Sequence, residues 1–182
     1  MDSIKSTVLI HPGLGNSEPD HWQALWIDKY DFKKIEQRDF DAPICEEWID
    51  HIEQEVRKHD PANVILVGHS LACTAIAYWA SKYKTMIKGA LLVGPSDTEA
   101  DSYPSGTTGF TPVPVETLPF PSIVVASTND FYVSAERAQA FADAWGSCIV
   151  WLENAGHINV AAGFGVWEEG LHHLQELDNG NV

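Results

Sequence analysis

The chain reads as a three-layer α/β domain built on a mainly parallel sheet. Three observations predict this. Apolar, β-branched runs recur along the sequence, helical patterns separate them, and the runs stay apolar throughout instead of alternating. A strand that is apolar at every position must be buried on both faces, which covering helices on each side of a parallel sheet provide. At 182 residues the chain is long enough to bury one full core without disulfides or metal.

The elements follow in order. TVLIH (7–11) is the first strand, and DHWQALWIDKY (20–30) has helical spacing. A weaker strand, KIEQRD (34–39), precedes a helix over 44–59, in which Ile44, Trp48, Ile49, Ile52 and Val56 form one apolar stripe. VILVG (64–68) runs straight into a helix over 70–83, and IKGALLVG (87–94) is the fourth strand. The stretch 95–121, PSDTEADSYPSGTTGFTPVPVETLPFP, is a long loop, and loops of that length inside a compact domain are often functional. It is too short for a second domain. SIVVAS (122–127), a helix over 134–145, CIVWL (148–152) and a helix over 164–177 complete the pattern. Residues 1–177 are expected to form one domain, with 178–182 a frayed tail. Six strands numbered along the chain give the order 2-1-3-4-5-6. Strands one and three then meet where the winding reverses, the crevice in which such sheets bind ligands.

Charge narrows the function. With 11 basic against 26 acidic residues the formal charge is -15, so nucleic acid and anionic membrane are not expected partners. Cys45, Cys73 and Cys148 are odd in number and lack CxxC spacing, as expected of reduced, mostly buried thiols in a cytoplasmic protein. No apolar run reaches the length of a bilayer span, and no basic-then-apolar signal opens the sequence.

The chemistry concentrates at VILVGHSLACTAIAYWA (64–80), where strand meets helix at Ser70. A serine forced out on such a turn needs small neighbours two positions away on each side. Gly68 supplies one, and Ala72 stands where a second glycine is usual, leaving one methyl group to accommodate. The N–H of Leu71, in the first helical turn, is free to stabilise negative charge. The alternative is that Ser70 merely caps its helix. A serine hydroxyl needs a histidine to take its proton and a carboxylate to hold that histidine. Asp130, after SIVVAS, and His157, after CIVWL, occupy successive strand ends in the order Ser, acid, His. Asp97, after the fourth strand, is the other candidate acid, though loop geometry favours Asp130. His69 adjoins Ser70 but should point away from it, orienting or filling space. Gly13 lets the backbone turn closely and leaves the N–H of Leu14 as a second donor at the cleft.

Other residues have plainer readings. GLGNSE lacks the glycines or lysine of a nucleotide loop. Ser17 or Asp20 is expected to cap the first helix, with Pro19 in its first turn. Cys73 reads as a small core residue. His11, His21, His172 and His173 lack metal-ligand spacing, so no metal and no cofactor is expected. Tyr103, Phe110, Phe131 and Tyr132 are candidates for an acyl pocket.

Taken together, PGLGNSEPDHWQALW, LVGHSLACTAIAYWA, GALLVGP, ASTNDFYVSAERAQAFADAWGS and AGHINVAAGFGVWEEG resemble the retinoblastoma-binding-protein-9-like serine hydrolases of the α/β-hydrolase superfamily. The resemblance spans residue 7 to about 176. It implies an α/β-hydrolase fold without a large lid domain, with Ser70 as nucleophile, Asp130 as acid and His157 as base. The expected function is hydrolysis of a small carboxylic ester, or an amide, through an acyl-enzyme. The competing expectation is a non-catalytic protein-interaction module that keeps the fold, with 95–121 as its recognition surface. No motif identifies a protein partner.

Overall fold

The computed structural model describes residues 4–182. Six strands form one fully parallel sheet: β1 (Thr7–His11), β2 (Lys33–Lys34), β3 (Val64–His69), β4 (Gly89–Val93), β5 (Ser122–Ser127) and β6 (Cys148–Leu152). Their order is β2-β1-β3-β4-β5-β6, the doubly wound arrangement expected from the sequence. Five helices connect them: α1 (Trp22–Lys29), α2 (Cys45–Val56), α3 (Leu71–Tyr83), α4 (Ala135–Trp145) and α5 (Glu168–Asn179).

Successive strand residues serve opposite faces, which explains the unbroken apolar runs. Leu9, Leu66, Leu92 and Val124 pack against α2, α3 and α4, with Trp48, Trp79 and Trp145 filling that layer. Ile10, Val67, Val93 and Val125 pack against α1 and α5, with Trp22, Trp26 and Trp167 on that side. Both layers are buried and aromatic-rich, so the sheet ends are held rigidly, as a site built upon them requires.

β2 is shorter than the expected 34–39. It pairs with β1 only at Lys33 and Lys34, and the Ile35 N–H makes one further bond to the Ile10 carbonyl. Gln37 then turns inward. Its amide nitrogen lies 2.8 Å from His11 Nε2 and donates to the Trp48 carbonyl at 3.1 Å, while its Oε1 lies 2.8 Å from His51 Nδ1. These buried partners outcompete the sheet ladder. The capping expectation for α1 is also corrected: His21, not Ser17 or Asp20, is the N-cap, and the helix starts at Trp22 with Pro19 outside it. Cys45 and Cys73 are buried, whereas Cys148 on the edge strand is exposed.

The segment 95–121 has no helix or strand of its own beyond one bridge between Ile44 and Thr108. It is nonetheless tied down at both ends. Arg137 grips Asp97 with two bonds of 2.8 and 2.9 Å and reaches Glu99 at 2.7 Å. Thr98 Oγ1 donates to the Phe110 carbonyl, and Phe110, Val113, Leu118 and Phe120 are buried in the α2–α3–α4 layer.

The last helix continues two residues past the expected end at 177, and Asp178 is not loose. Its carboxylate accepts from the Lys5 and Ser6 N–H groups, the Ser6 hydroxyl and Lys88 Nζ. Burial pushes this carboxyl up, but the Ser6, Lys5 and Lys88 donors outweigh it and bring it down from 3.8 to about 2. A depressed carboxylate stabilises the fold above its unfolded value, and that contribution is lost as the pH falls through about 2. Asp178→Asn should therefore cost about 2 kcal/mol at neutral pH and flatten the stability profile between roughly pH 4 and 2, read by urea unfolding across that range. A variant as stable as the parent at pH 7 would contradict this.

Candidate active site

Ser70 sits between β3 and α3 with φ 58° and ψ -123°, a backbone conformation that side-chain-bearing residues rarely adopt. Although it occupies the N-cap position, its side chain makes no capping bond. The hydroxyl instead lies 2.7 Å from the hydroxyl of Ser96, which is fully buried just beyond β4. The turn is held by the Ser70 N–H donating to the Val93 carbonyl at 2.9 Å. Helix capping is thus not what this serine does.

The neighbours explain how the turn fits. A Cβ on Gly68 would lie 2.8 Å from Ile76 Cδ1 and 3.2 Å from the Ala72 carbonyl carbon, so a side chain there collides with α3. Ala72 is fully buried, so its methyl is accommodated in the closed structure behind the turn. A Cβ on Gly13 would meet the His69 carbonyl oxygen at 2.8 Å and Ser70 Cβ at 2.9 Å. The loop after β1 is therefore pressed directly onto the turn, and Leu14 lines the cleft beside Ser70. Leu71 opens α3, where the backbone N–H has no intrahelical acceptor, while its side chain is buried.

Asp130 and His157 come together from the loops after β5 and β6. His157 Nδ1 lies 2.8 Å from Asp130 Oδ2 and 3.0 Å from Oδ1, and the Asp130 side chain is fully buried. Oδ1 also accepts the Tyr132 N–H at 2.9 Å. The two loops are stitched to each other, with Asn129 Oδ1 accepting the Gly156 N–H and Ser127 Oγ the Ala155 N–H. Asp97, the other candidate acid, is committed to Arg137.

Sequence reasoning missed how the His157 loop is held. His69 Nε2 donates to the His157 carbonyl at 2.9 Å, and Trp22 Nε1 donates to the Ile158 carbonyl at 2.9 Å. Ile158 has φ 50°, costly for a β-branched residue, so these two bonds restrain a strained segment. Burial and the neighbouring His157 and His21 hold His69 well below its ordinary value, which keeps it neutral. The expected role of His69, orienting or filling space, takes this specific form.

These groups line one cleft of about 410 Å³, which includes Leu14, His21, His69, Ser70, Tyr103, Tyr132 and His157. Of the four aromatic residues expected around an acyl pocket, Tyr103 and Tyr132 are on its wall. Phe110 is not: it is 1% exposed and packs edge-on against Trp48 in the core. Phe131 is 75% exposed and lies outside the cleft, edge-on to Tyr132. Cys73 is fully buried and burial pushes its thiol up, so it is core. Among the described residues no three His, Cys, Asp or Glu side chains gather where a metal ion could be held.

A parallel sheet of this order, with a strained serine turn after β3 and an Asp–His pair after β5 and β6, has the α/β-hydrolase fold. The chain belongs to the serine hydrolase family, whose model matches residues 8–176. Among solved structures it is similar to a YdeN-like hydrolase of Pectobacterium atrosepticum, at 33% identity over 95% of this chain and 90% of that one, with a TM-score of 0.83. The ydeN gene product of B. subtilis, 21% identical over 95% and 98% of the two chains, shares the fold with a TM-score of 0.76. So does esterase 2 of Thermogutta terrifontis, 17% identical over 96% and 82%, with a TM-score of 0.68. No curated protein matches the chain.

Proposed function

We propose that this protein hydrolyses a small carboxylic ester, with an amide as the second choice, through Ser70, His157 and Asp130. One observation carries the reading. The Asp130–His157 pair opens onto the same cleft as a serine held in a strained turn, whose hydroxyl does not serve its helix. Strain of this kind persists where surrounding structure enforces it, and a non-catalytic interaction module has no use for it.

The steps follow from the groups present. The Ser70 hydroxyl turns from Ser96 toward His157, a change of side-chain rotamer as substrate settles. Its oxygen attacks the carbonyl carbon while the proton passes to His157 Nε2, and Asp130 stabilises the imidazolium through Nδ1–H. The N–H groups of Leu14 and Leu71 receive the oxyanion. Collapse expels the alcohol, protonated by His157. Water, deprotonated by His157, then attacks the acyl-serine, and release of the acid restores the Ser70 hydroxyl. No cofactor enters.

Within the family we place the chain beside the retinoblastoma-binding-protein-9-like hydrolases, on the NDFYVSAERAQAFADAWGS and AGHIN blocks. A cytoplasmic setting suits its three free cysteines. No helix among the described residues is long and apolar enough to cross a membrane.

The test is a fluorophosphonate probe with p-nitrophenyl butyrate turnover as its companion. The probe should form one adduct, on the peptide containing Ser70, and abolish turnover in proportion to labelling. An adduct elsewhere, or full turnover in labelled protein, overturns the proposal.

A further inference from the structure

We infer that His21 is a substrate-binding residue: its Nε2–H is a neutral donor for an uncharged oxygen in the alcohol portion of the ester. The inference rests on the hydrolase reading above and deepens it by naming the kind of ester.

The imidazole is 6% exposed and lines the cleft. The Gln23 N–H donates to its Nδ1 at 3.2 Å, so Nδ1 holds no proton and, in the neutral ring, Nε2 does. Nε2 meets no protein partner among the described residues, yet it is not sealed from solvent. An otherwise buried donor left open toward a cleft is a group awaiting an acceptor. Burial, reinforced by nearby His157 and opposed by Asp20, pulls His21 down to about 4, so it stays neutral where an esterase works.

Position gives the side of the substrate. Ring centroids run from His21 to His69 at 4.9 Å and from His69 to His157 at 4.8 Å, placing three imidazoles in series. His157 protonates the departing alcohol, so this wall is the alcohol side. Glu18 is the one formally charged Asp, Glu, Lys or Arg side chain on the lining, and no cation is present there to attract an anionic group. An ether, hydroxyl or carbonyl oxygen fits this wall, and a carboxylate or phosphate does not.

The test compares 2-methoxyethyl butyrate with butyl butyrate, which match in length and differ by one ether oxygen. Binding is measured by NMR titration on Ser70→Ala protein, so that it does not depend on turnover, and kcat/KM is measured on the otherwise wild-type chain. His21→Asn is the variant, because asparagine is itself a favoured N-cap and keeps the helix start through its Oδ1, while its amide N–H₂ ends short of where the Nε2–H stands. The methoxyethyl ester should bind about fivefold more tightly than the butyl ester, and His21→Asn should erase that preference in both Kd and kcat/KM. Equal binding of the two esters, or a preference that survives His21→Asn, overturns the inference. A preference in binding with no hydrolysis of either ester would sustain His21 as a binding residue and sink the hydrolase reading.

Discussion

Asp130→Asn should lower kcat for p-nitrophenyl butyrate about 10⁴-fold while leaving the fold intact. Both carboxylate oxygens lie within hydrogen-bond reach of His157 Nδ1, and in the proposed reaction the buried negative charge stabilises the imidazolium. An amide can hold the same space but turns its N–H₂ toward the ring or toward the Tyr132 N–H, which also needs an acceptor. Satisfying Tyr132 points the amide nitrogen at Nδ1, which must then give up its proton. Nε2 becomes a donor facing Ser70 and cannot act as a base. The loss falls on kcat because the imidazolium exists only after attack begins. A thermal melt unchanged within a few degrees would show that folding is not the cause, and a loss below tenfold would sink Asp130 as the orienting acid.

Gly13→Ala is the second large effect. The φ of Gly13 is not in the left-handed region, so a side chain meets no backbone penalty there and space alone decides. The added methyl would stand 2.8 Å from the His69 carbonyl oxygen and 2.9 Å from Ser70 Cβ. Neither atom can yield easily: one belongs to the last residue of a central strand, the other to a turn already strained. The loop after β1 must move instead, which drags the Leu14 N–H away from its proposed place beside the oxyanion. Displacement of about 1 Å suffices for roughly a 100-fold loss in kcat/KM, with about 1–3 kcal/mol of overpacking cost in stability. Activity close to the parent's would show that the contact between this loop and the turn is unimportant.

The sheet and its winding were readable because burial on both faces writes itself into unbroken apolar runs. β2 was not, since its length is set by Gln37 leaving the ladder for His11, His51 and the Trp48 carbonyl, a competition invisible to periodicity. Asp130 and His157 are candidates from counting strand ends, and the structure brings their side chains within 2.8 Å of each other. Phe110 and Phe131 were assigned to a pocket on aromatic character alone, which says nothing about direction. One faces the core and the other solvent because the segment carrying Phe110 folds down onto Trp48, while Phe131 sits at the tip of its turn. His21 escaped notice as a cleft residue because imidazole is not among the favoured caps, and Ser17 or Asp20 is the cap the sequence suggests. Ser96 gave no signal at all, its contact with Ser70 arising from strand register between β3 and β4.

The anchoring of 95–121 bears on how substrate arrives. Four of its side chains are part of the same apolar layer that supports α3, and Arg137 clamps its beginning, so it lends the cleft only Tyr103 and Pro104. A segment held to the core at both its ends leaves only the short span around Tyr103 and Pro104 over the cleft, too little to form a large hatch. Under the proposed hydrolysis, entry and exit are then expected straight from bulk water through a standing mouth, which suits dissolved molecules better than droplets.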